Sequence, residues 1–191
     1  IRELPKPLLR LSKEELVSGR QIVSQVKEKL KKDKVIVIQP FGRTLQVLDD
    51  SFVDSSGRSI EFKDLKALIR KLQEENFAVI IMAEMVFDFS GDKFKDEVAM
   101  PENVSLRQWA AVMKYSDHFL GCDSVGQHLA HSVDTNQTVV LGATYPINVS
   151  YPDTEGVEIV DLGMHNRIYD PIRIMPDEAT SRHNENIMSM N

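Results

Sequence analysis

Cysteine and long apolar runs are both scarce in this sequence. Cys122 is the single cysteine among 191 residues, which excludes a framework of intramolecular disulfides and is typical of a reducing compartment. Because Cys122 ends a short apolar run, we expect it to be a small buried residue. The apolar runs fall short of the roughly 18 residues that a helix needs to cross a bilayer. The sequence therefore predicts a cytoplasmic protein without a membrane span.

Positive charge is scarce as well. Lys and Arg together number 23 against 29 Asp and Glu, so the formal net charge is -6. Proteins that bind nucleic acid through its phosphates are usually basic, which excludes nucleic acid as the expected partner. Any phosphate site must instead be formed locally. With 42% hydrophobic and 27% charged residues, the composition is typical of one globular domain with a full core.

Several signature motifs are missing. The turn after the first apolar run reads Gln39-Pro-Phe-Gly-Arg43, so the GxGxxG of a dinucleotide-binding enzyme is absent there. Neither GxxxxGK[ST] nor GxSxG occurs, so P-loop and serine-hydrolase chemistry are unsupported. His118, His128 and His131 lack carboxylate or thiol neighbours at metal-ligand spacing. We therefore predict no metal site.

The hydrophobic pattern alternates short apolar runs with amphipathic segments. This alternation predicts an α/β domain with a doubly wound, mostly parallel sheet, which is a Rossmann-like fold. A long loop over 39–61 is compatible with a short hairpin through 45–53. Helices are predicted after the capping box Ser12–Glu15, over 63–76, after Ser105 and over 126–133. Strands are predicted over 34–38, 77–82, 98–100, 118–121, 138–141 and 157–162.

One turn stands between a predicted strand and a predicted helix. Because ligands of such sheets bind beyond the carboxyl ends of the strands, this turn is a candidate anion site. Ser124 and the backbone N–H groups near Gly126 would hold a diphosphate, and His128 would donate a hydrogen bond or carry positive charge. Asp123 would orient the loop, since a carboxylate repels phosphate. The alternative is an ordinary helix start with a histidine facing solvent.

Three further polar residues lie in loops at the same predicted edge. Glu84 follows a strand and is placed to accept hydrogen bonds from two ribose hydroxyls, although an exposed loop carboxylate is the alternative. Arg43 and Arg58 belong to the long loop and would neutralise phosphate charge. For either arginine alone, a surface salt bridge is the alternative interpretation.

The order of these features resembles a known family over about residues 6–152. Asp123–Ala130 reads DSVGQHLA and is similar to the family motif D-[ST]-G-x-x-H-L-x-A. Gly142–Pro146 is similar to G-P-T-x-P, Met82–Glu84 to a ribose-binding Gly-Ala-Glu, and Leu11–Glu15 to the family's helix entry. The family is that of the ADP-heptose:lipopolysaccharide heptosyltransferases, glycosyltransferase family nine. The resemblance is to their C-terminal half, which binds the nucleotide sugar in a two-domain GT-B fold.

The resemblance also implies roles for individual residues. Glu84 falls at the position that binds the ribose, and Val104 at a position that contacts the base. Arg58 falls nearest the family's lysine in the loop after the first strand, and Arg43 is the alternative. That lysine itself is missing, and Val125 stands where the family has a glycine. The residues placed at the diphosphate are Asp123, Ser124, Gly126 and His128.

The implied activity is the inverting transfer of a sugar from a nucleotide-diphosphate donor to a saccharide or other hydroxyl acceptor, without a metal or other cofactor. The family's general base comes from an N-terminal Rossmann-like domain that this chain lacks, so we assign no catalytic residue. The sequence begins at Ile1 rather than at Met, which fits a piece of a longer protein. Glu84, Asp123 and His128 favour the glycosyltransferase. Val125 and the missing lysine favour the alternative, a non-catalytic nucleotide-binding or protein-interaction module.

Three segments are predicted along the chain. Residues 1–11 contain Pro5 and Pro7 and are interpreted as a linker. Residues 12–175 form the donor-nucleotide-binding domain. Residues 176–191 form a polar tail, which either packs back across the missing domain or is frayed.

Overall fold

A computed structural model describes residues 6–42, 45–48, 51–54, 57–84, 89, 92, 95–165 and 167. Its helices are α1 (Lys13–Leu30), α2 (Phe62–Glu74), α3 (Leu106–Tyr115), α4 (Val125–Ser132) and α5 (Pro146–Val149), with a short 3-10 helix at Lys95–Glu97. Its strands are β1 (Lys34–Gln39), β2 (Leu45–Leu48), β3 (Ser51–Asp54), β4 (Phe77–Ile81), β5 (Val98–Ala99), β6 (His118–Cys122), β7 (Gln137–Leu141) and β8 (Val157–Asp161).

Six of these strands form one sheet in the order β5-β4-β1-β6-β7-β8. Each neighbouring pair in it is parallel. The chain moves outward from β1 to β4 and β5, then returns to the other side of β1 and continues with β6. This confirms the predicted doubly wound sheet. The order reverses between β1 and β6, and ligands of open α/β sheets bind in the crevice at such a reversal.

The two faces of the sheet are covered by different helices. Val35 and Val37 of β1 pack in one core with residues of α1, α3 and α4. Ile36 and Ile38 point to the opposite face and pack in a second core with α2. Because successive residues of a strand point to opposite faces, a run of β-branched residues is stable only when both faces are covered. The continuous apolar run of β1 is therefore explained.

The predicted elements are confirmed with small shifts at their ends. Ser12 and Ser105 both form the N-terminal capping boxes that start α1 and α3. The short hairpin within the long loop is β2 paired antiparallel with β3. The sequence did not predict α5, because four residues starting at a proline carry no helical periodicity. The ends of the chain, including the predicted tail, lie outside the described residues, so the domain boundaries stay predictions.

Helices α1 and α3 approach each other closely at a glycine. A Cβ placed on Gly19 would lie 2.5 Å from the carbonyl carbon of Ala111 and 2.6 Å from its Cβ. An ion pair between Glu15 and Arg107, at 2.5 Å, joins the same two helices. Gly19 therefore determines how near the helices lie, because every other residue type carries the colliding atom.

The single cysteine lies in the core, as predicted. Cys122 is fully buried at the end of β6. Burial raises the pKa of its thiol to about 12, and the neighbouring negative charge of Asp123 adds to this increase. The thiol therefore stays protonated and unreactive near neutral pH. Within the described part of the chain, every helix is too short or too polar to cross a membrane.

Candidate functional site

A cavity of about 740 Å³ opens at the carboxyl edge of the sheet. The ends of β1 and β4, the loop after β5 and the start of α4 contribute its walls. Ile81, Met82 and Trp109 give it an apolar lining, and Glu84 and Glu102 add two carboxylates. Cavities of this size are large enough for a nucleotide-sized ligand.

Three of the predicted site residues line this cavity. Glu84 is exposed just beyond β4, and Val104 is half-buried just before the start of α3. Ser124 reaches the cavity from the turn between β6 and α4. The parallel sheet accounts for this meeting, because the carboxyl ends of β4 and β6 lie on either side of β1 at one edge. The structure thus brings Glu84, Val104 and Ser124 around one space.

Gln39 occupies the crevice between β1 and β6. Its Oε1 accepts a hydrogen bond of 2.7 Å from the backbone N–H of Gly126. Its Nε2 donates to Oγ of Ser124 at 3.1 Å. Ser124 is the N-cap residue of α4, but its side chain makes no capping bond to its own helix. Two groups that the sequence assigned to a diphosphate are therefore already hydrogen-bonded to one side chain.

Gly126 allows this close approach. A Cβ at this position would lie 2.4 Å from Oε1 of Gln39 and 2.6 Å from Cζ of Phe119. Phe119 is fully buried and has little room to move. The glycine is thus needed here for the packing of Gln39 and Phe119 against the first turn of α4.

Asp123 joins three parts of the carboxyl edge. Its Oδ2 accepts a hydrogen bond of 3.0 Å from the hydroxyl of Thr144 and lies 4.0 Å from an Nη of Arg58. Its Oδ1 accepts from Nε2 of Gln127 at 3.3 Å. Asp123 is buried, so these donors replace the water that a carboxylate requires. This arrangement fits the role of orienting the loop, and Asp123 is not among the described residues that line the cavity.

Arg58 is held near Asp123 by the closure of the long loop. Ile60 N–H donates to the carbonyl of Pro40 at 2.8 Å. Gly42 N–H donates to Oγ of Ser59 at 3.1 Å. These bonds fasten the end of the loop to its beginning, directly after β1. Arg58 is half-exposed beside Asp123 and does not line the cavity, and Arg43 lies outside the described residues.

His128 lies away from the cavity and contacts Tyr151. Its Nδ1 is 2.8 Å from the Tyr151 hydroxyl. His131, one turn further along α4, stacks on the same tyrosine with ring centroids 3.7 Å apart. Loss of hydration lowers the pKa of both histidines, although Asp123 opposes this for His128 and Asp134 opposes it for His131. Because His128 is not among the described residues that line the cavity, the structure separates it from Glu84 and Val104.

These lowered pKa values predict a loss of stability in mild acid. A histidine whose pKa is lower in the folded chain binds protons more readily when unfolded, so stability is retained above the unfolded pKa of about 6.5 and falls as pH drops below it. We expect the urea midpoint to be lower at pH 5.5 than at pH 7.5, while carboxylates remain ionised.

The variant His131→Phe keeps a ring against Tyr151 but cannot be protonated. We expect its urea midpoint to change less between the two pH values than that of the unmodified protein. Equal changes in both proteins would contradict a contribution from His131.

Sequence reasoning overlooked several residues of this edge. The sequence motifs do not single out Gln39 or Thr144, although both follow apolar runs as Asp123 does. Gln39 could have been identified from the sequence, because it is the polar residue that directly follows the apolar run over 34–38. Its partners could not be inferred, because adjacency of β1 and β6 depends on the strand order. Among the described residues, no group of three or more His, Cys, Asp or Glu could hold a metal ion.

The fold is similar to part of several solved glycosyltransferases. A glycosyl transferase family 9 protein from Veillonella parvula matches 95% of this chain with a TM-score of 0.63 at 9% identity, over 48% of its own length. E. coli ADP-heptose lps heptosyltransferase II matches 82% of this chain with a TM-score of 0.56 at 12% identity, over 47% of its length. E. coli heptosyltransferase WaaC, solved with ADP, matches 71% with a TM-score of 0.50 at 15% identity, over 42% of its length.

Sequence comparison alone finds no such relationship. No family model matches the chain, and no curated protein matches it. At 9 to 15% identity, the structural similarity establishes a glycosyltransferase-like α/β fold. The chain spans just under half the length of the Veillonella parvula protein and of heptosyltransferase II. The fold expected from the heptosyltransferase resemblance is therefore confirmed.

Proposed function

We propose that this chain is the donor-binding part of a glycosyltransferase. It would bind a nucleoside diphosphate sugar for transfer to a saccharide or other hydroxyl acceptor. The observation that carries this proposal is the cavity at the carboxyl edge, where Glu84, Val104 and Ser124 meet. The family resemblance implies a ribose contact for Glu84, a base contact for Val104 and a diphosphate contact for Ser124.

The geometry suggests how a donor would lie. Val104 and Trp109 offer apolar surface for a base, and exposed Glu84 offers two acceptor oxygens for ribose hydroxyls. The diphosphate would extend toward Ser124 and the N-terminus of α4, where the helix dipole favours negative charge. The solved WaaC structure that has a similar fold contains ADP, which supports a nucleotide in a fold of this kind.

Departure of the nucleoside diphosphate requires stabilisation of its negative charge. Arg58 is a half-exposed cation beside the turn, with an Nη 4.0 Å from the Asp123 carboxylate. A shift of its guanidinium from Asp123 to the ligand would supply this charge without a metal. His128 does not line the cavity and its Nδ1 is held at the Tyr151 hydroxyl, so it would contribute only after its ring moves toward the ligand. The general base is assigned to the partner domain that the resemblance implies.

Calorimetry with ADP, GDP and UDP tests the proposal directly. We expect one of the three to bind at submillimolar concentration, with an enthalpy that is unchanged by EDTA if no metal takes part. Absence of binding by all three at millimolar concentration would overturn the donor-site proposal.

The role of Glu84 is tested by pairing a substitution with a modified ligand. We expect Glu84→Gln to weaken binding of the preferred ribonucleoside diphosphate about tenfold, because charge-assisted hydrogen bonds to two hydroxyls are weakened. The 2′,3′-dideoxy analogue lacks those hydroxyls, so its affinity should change less than twofold. Glu102→Gln removes a carboxylate from the same cavity and is the matched control. Equal losses for both ligands, or for both variants, would contradict a ribose contact.

Two observations favour the alternative of a non-catalytic module. Gln39 already holds the Gly126 N–H and the Ser124 hydroxyl, and Val125 exposes an apolar side chain toward the cavity. A domain that only docks a partner or binds a nucleoside would tolerate this arrangement. Binding of adenosine as tightly as ADP would favour this alternative over donor binding.

A further inference from the structure

The side chain of Gln39 lies at the start of α4, where the proposed function places the diphosphate of the ligand. A phosphate oxygen at the start of α4 would accept the N–H of Gly126 and the hydroxyl hydrogen of Ser124. The Gln39 Oε1 accepts that same N–H at 2.7 Å. Its Nε2 donates to Oγ of Ser124 at 3.1 Å. The carboxamide therefore occupies the Gly126 N–H that a phosphate oxygen would use, whereas it accepts nothing from the Ser124 hydroxyl.

We infer that Gln39 determines how strongly this site distinguishes a nucleoside diphosphate from an uncharged nucleoside. This inference rests on the proposed function, because it concerns the phosphate end of the same site. Gln39 is 8% exposed and borders the cavity. A diphosphate must displace its carboxamide or bind without the Gly126 N–H. Either way, Gln39 reduces the affinity gained from the two phosphates.

The nucleoside end of the site is separate from this competition. Glu84 and Val104 line the cavity from β4 and from the loop before α3. Within the described part of the chain, the Gln39 side chain forms hydrogen bonds with Ser124 and Gly126 and not with these two residues. A change at Gln39 should therefore alter the affinity for ADP and leave that for adenosine nearly unchanged.

The first variant removes the competing carboxamide. We expect Gln39→Ala to bind ADP about fivefold more tightly, since one neutral hydrogen bond no longer has to be exchanged. Adenosine affinity should change less than twofold. Gln25→Ala, at an exposed position of α1, is the matched control and should change neither affinity.

The second variant keeps the shape of the side chain and adds a charge. Gln39→Glu places a carboxylate against the Gly126 N–H and the helix N-terminus, where it is well stabilised. We expect this variant to lose more than tenfold in ADP affinity through repulsion, again with little change for adenosine. Because glutamate is nearly isosteric with glutamine, this variant carries the test if Gln39→Ala fails to fold in a thermal melt.

The outcomes separate the inference from the proposed function. If the unmodified protein binds ADP and its ratio of ADP to adenosine affinity is unchanged by both substitutions, the inference is wrong and donor binding survives. Weaker ADP binding by Gln39→Ala also overturns the inference, since it would make Gln39 a ligand contact. If neither the unmodified protein nor Gln39→Ala binds ADP, GDP, UDP or adenosine, both proposals fall. Binding of ADP by Gln39→Ala alone supports the competition at Gln39 but overturns donor binding by the unmodified protein.

Discussion

Replacing Asp123 with alanine is expected to lower the free energy of unfolding by about 3 kcal/mol, because buried donors lose a charged acceptor. The Thr144 hydroxyl and the Gln127 amide both donate to this carboxylate. Gln127 is fully buried, and its Oε1 already lacks a hydrogen-bond partner among the described residues. Without Asp123, its Nε2 would lose its acceptor as well. Arg58 would also lose a neighbouring negative charge.

Urea denaturation monitored by tryptophan fluorescence measures this loss, since Trp109 is the single tryptophan and is buried. Asp33→Ala is the control, because Asp33 is exposed in the turn between α1 and β1 and should change stability by less than about 0.5 kcal/mol. Similar urea midpoints for Asp123→Ala and the unmodified protein would contradict the prediction, because water would then replace the carboxylate without a loss in the free energy of unfolding.

Replacing Gly19 with leucine is expected to destabilise the fold by about 2 to 3 kcal/mol through overpacking between two helices. The first side-chain atom would lie 2.5 Å from a backbone carbon of Ala111. A backbone atom cannot rotate away as a side chain can, so α1 and α3 must separate. Their separation would disturb the Glu15–Arg107 ion pair and open the core beneath. Leucine's higher helix propensity offsets only about 1 kcal/mol of this cost.

The same denaturation experiment tests this prediction, with Ser24→Leu as the control. Ser24 is exposed on α1, so its substitution adds an equally large apolar side chain without a collision. We expect a shift below about 0.5 kcal/mol for this control. Equal stability of the two variants would contradict the close helix approach at Gly19.

The sequence predicted the fold well because its signals are local. The run over 34–38 is typical of a strand covered on both faces, and the capping boxes at Ser12 and Ser105 located two helix starts. Apolar periodicity and capping both act within a few residues, so one sequence suffices to recognise them. The short α5 was overlooked for the same reason, since its four residues carry neither signal.

The candidate site could be predicted only in part. Loop positions after strands indicated Glu84, Ser124 and Asp123, since the carboxyl ends of parallel strands share an edge. What each residue contacts depends on strand order and side-chain rotamers, which a single sequence does not specify. His128 therefore lies against Tyr151, 23 residues further along the chain. The partners of Gln39 cannot be inferred from sequence either, because they lie more than 80 residues away.

The placement of β1 has a consequence for the order in which the chain folds. β1 lies between β4 and β6, and its Val35 N–H donates to the carboxylate of Asp117, 82 residues later. During synthesis, β1 has its first neighbour once β4 emerges, but its other edge stays unpaired until β6 has been made. An apolar strand with an open edge is prone to pair with other chains. The central strand therefore keeps one unpaired edge while the ribosome is still adding the residues from β4 to β6.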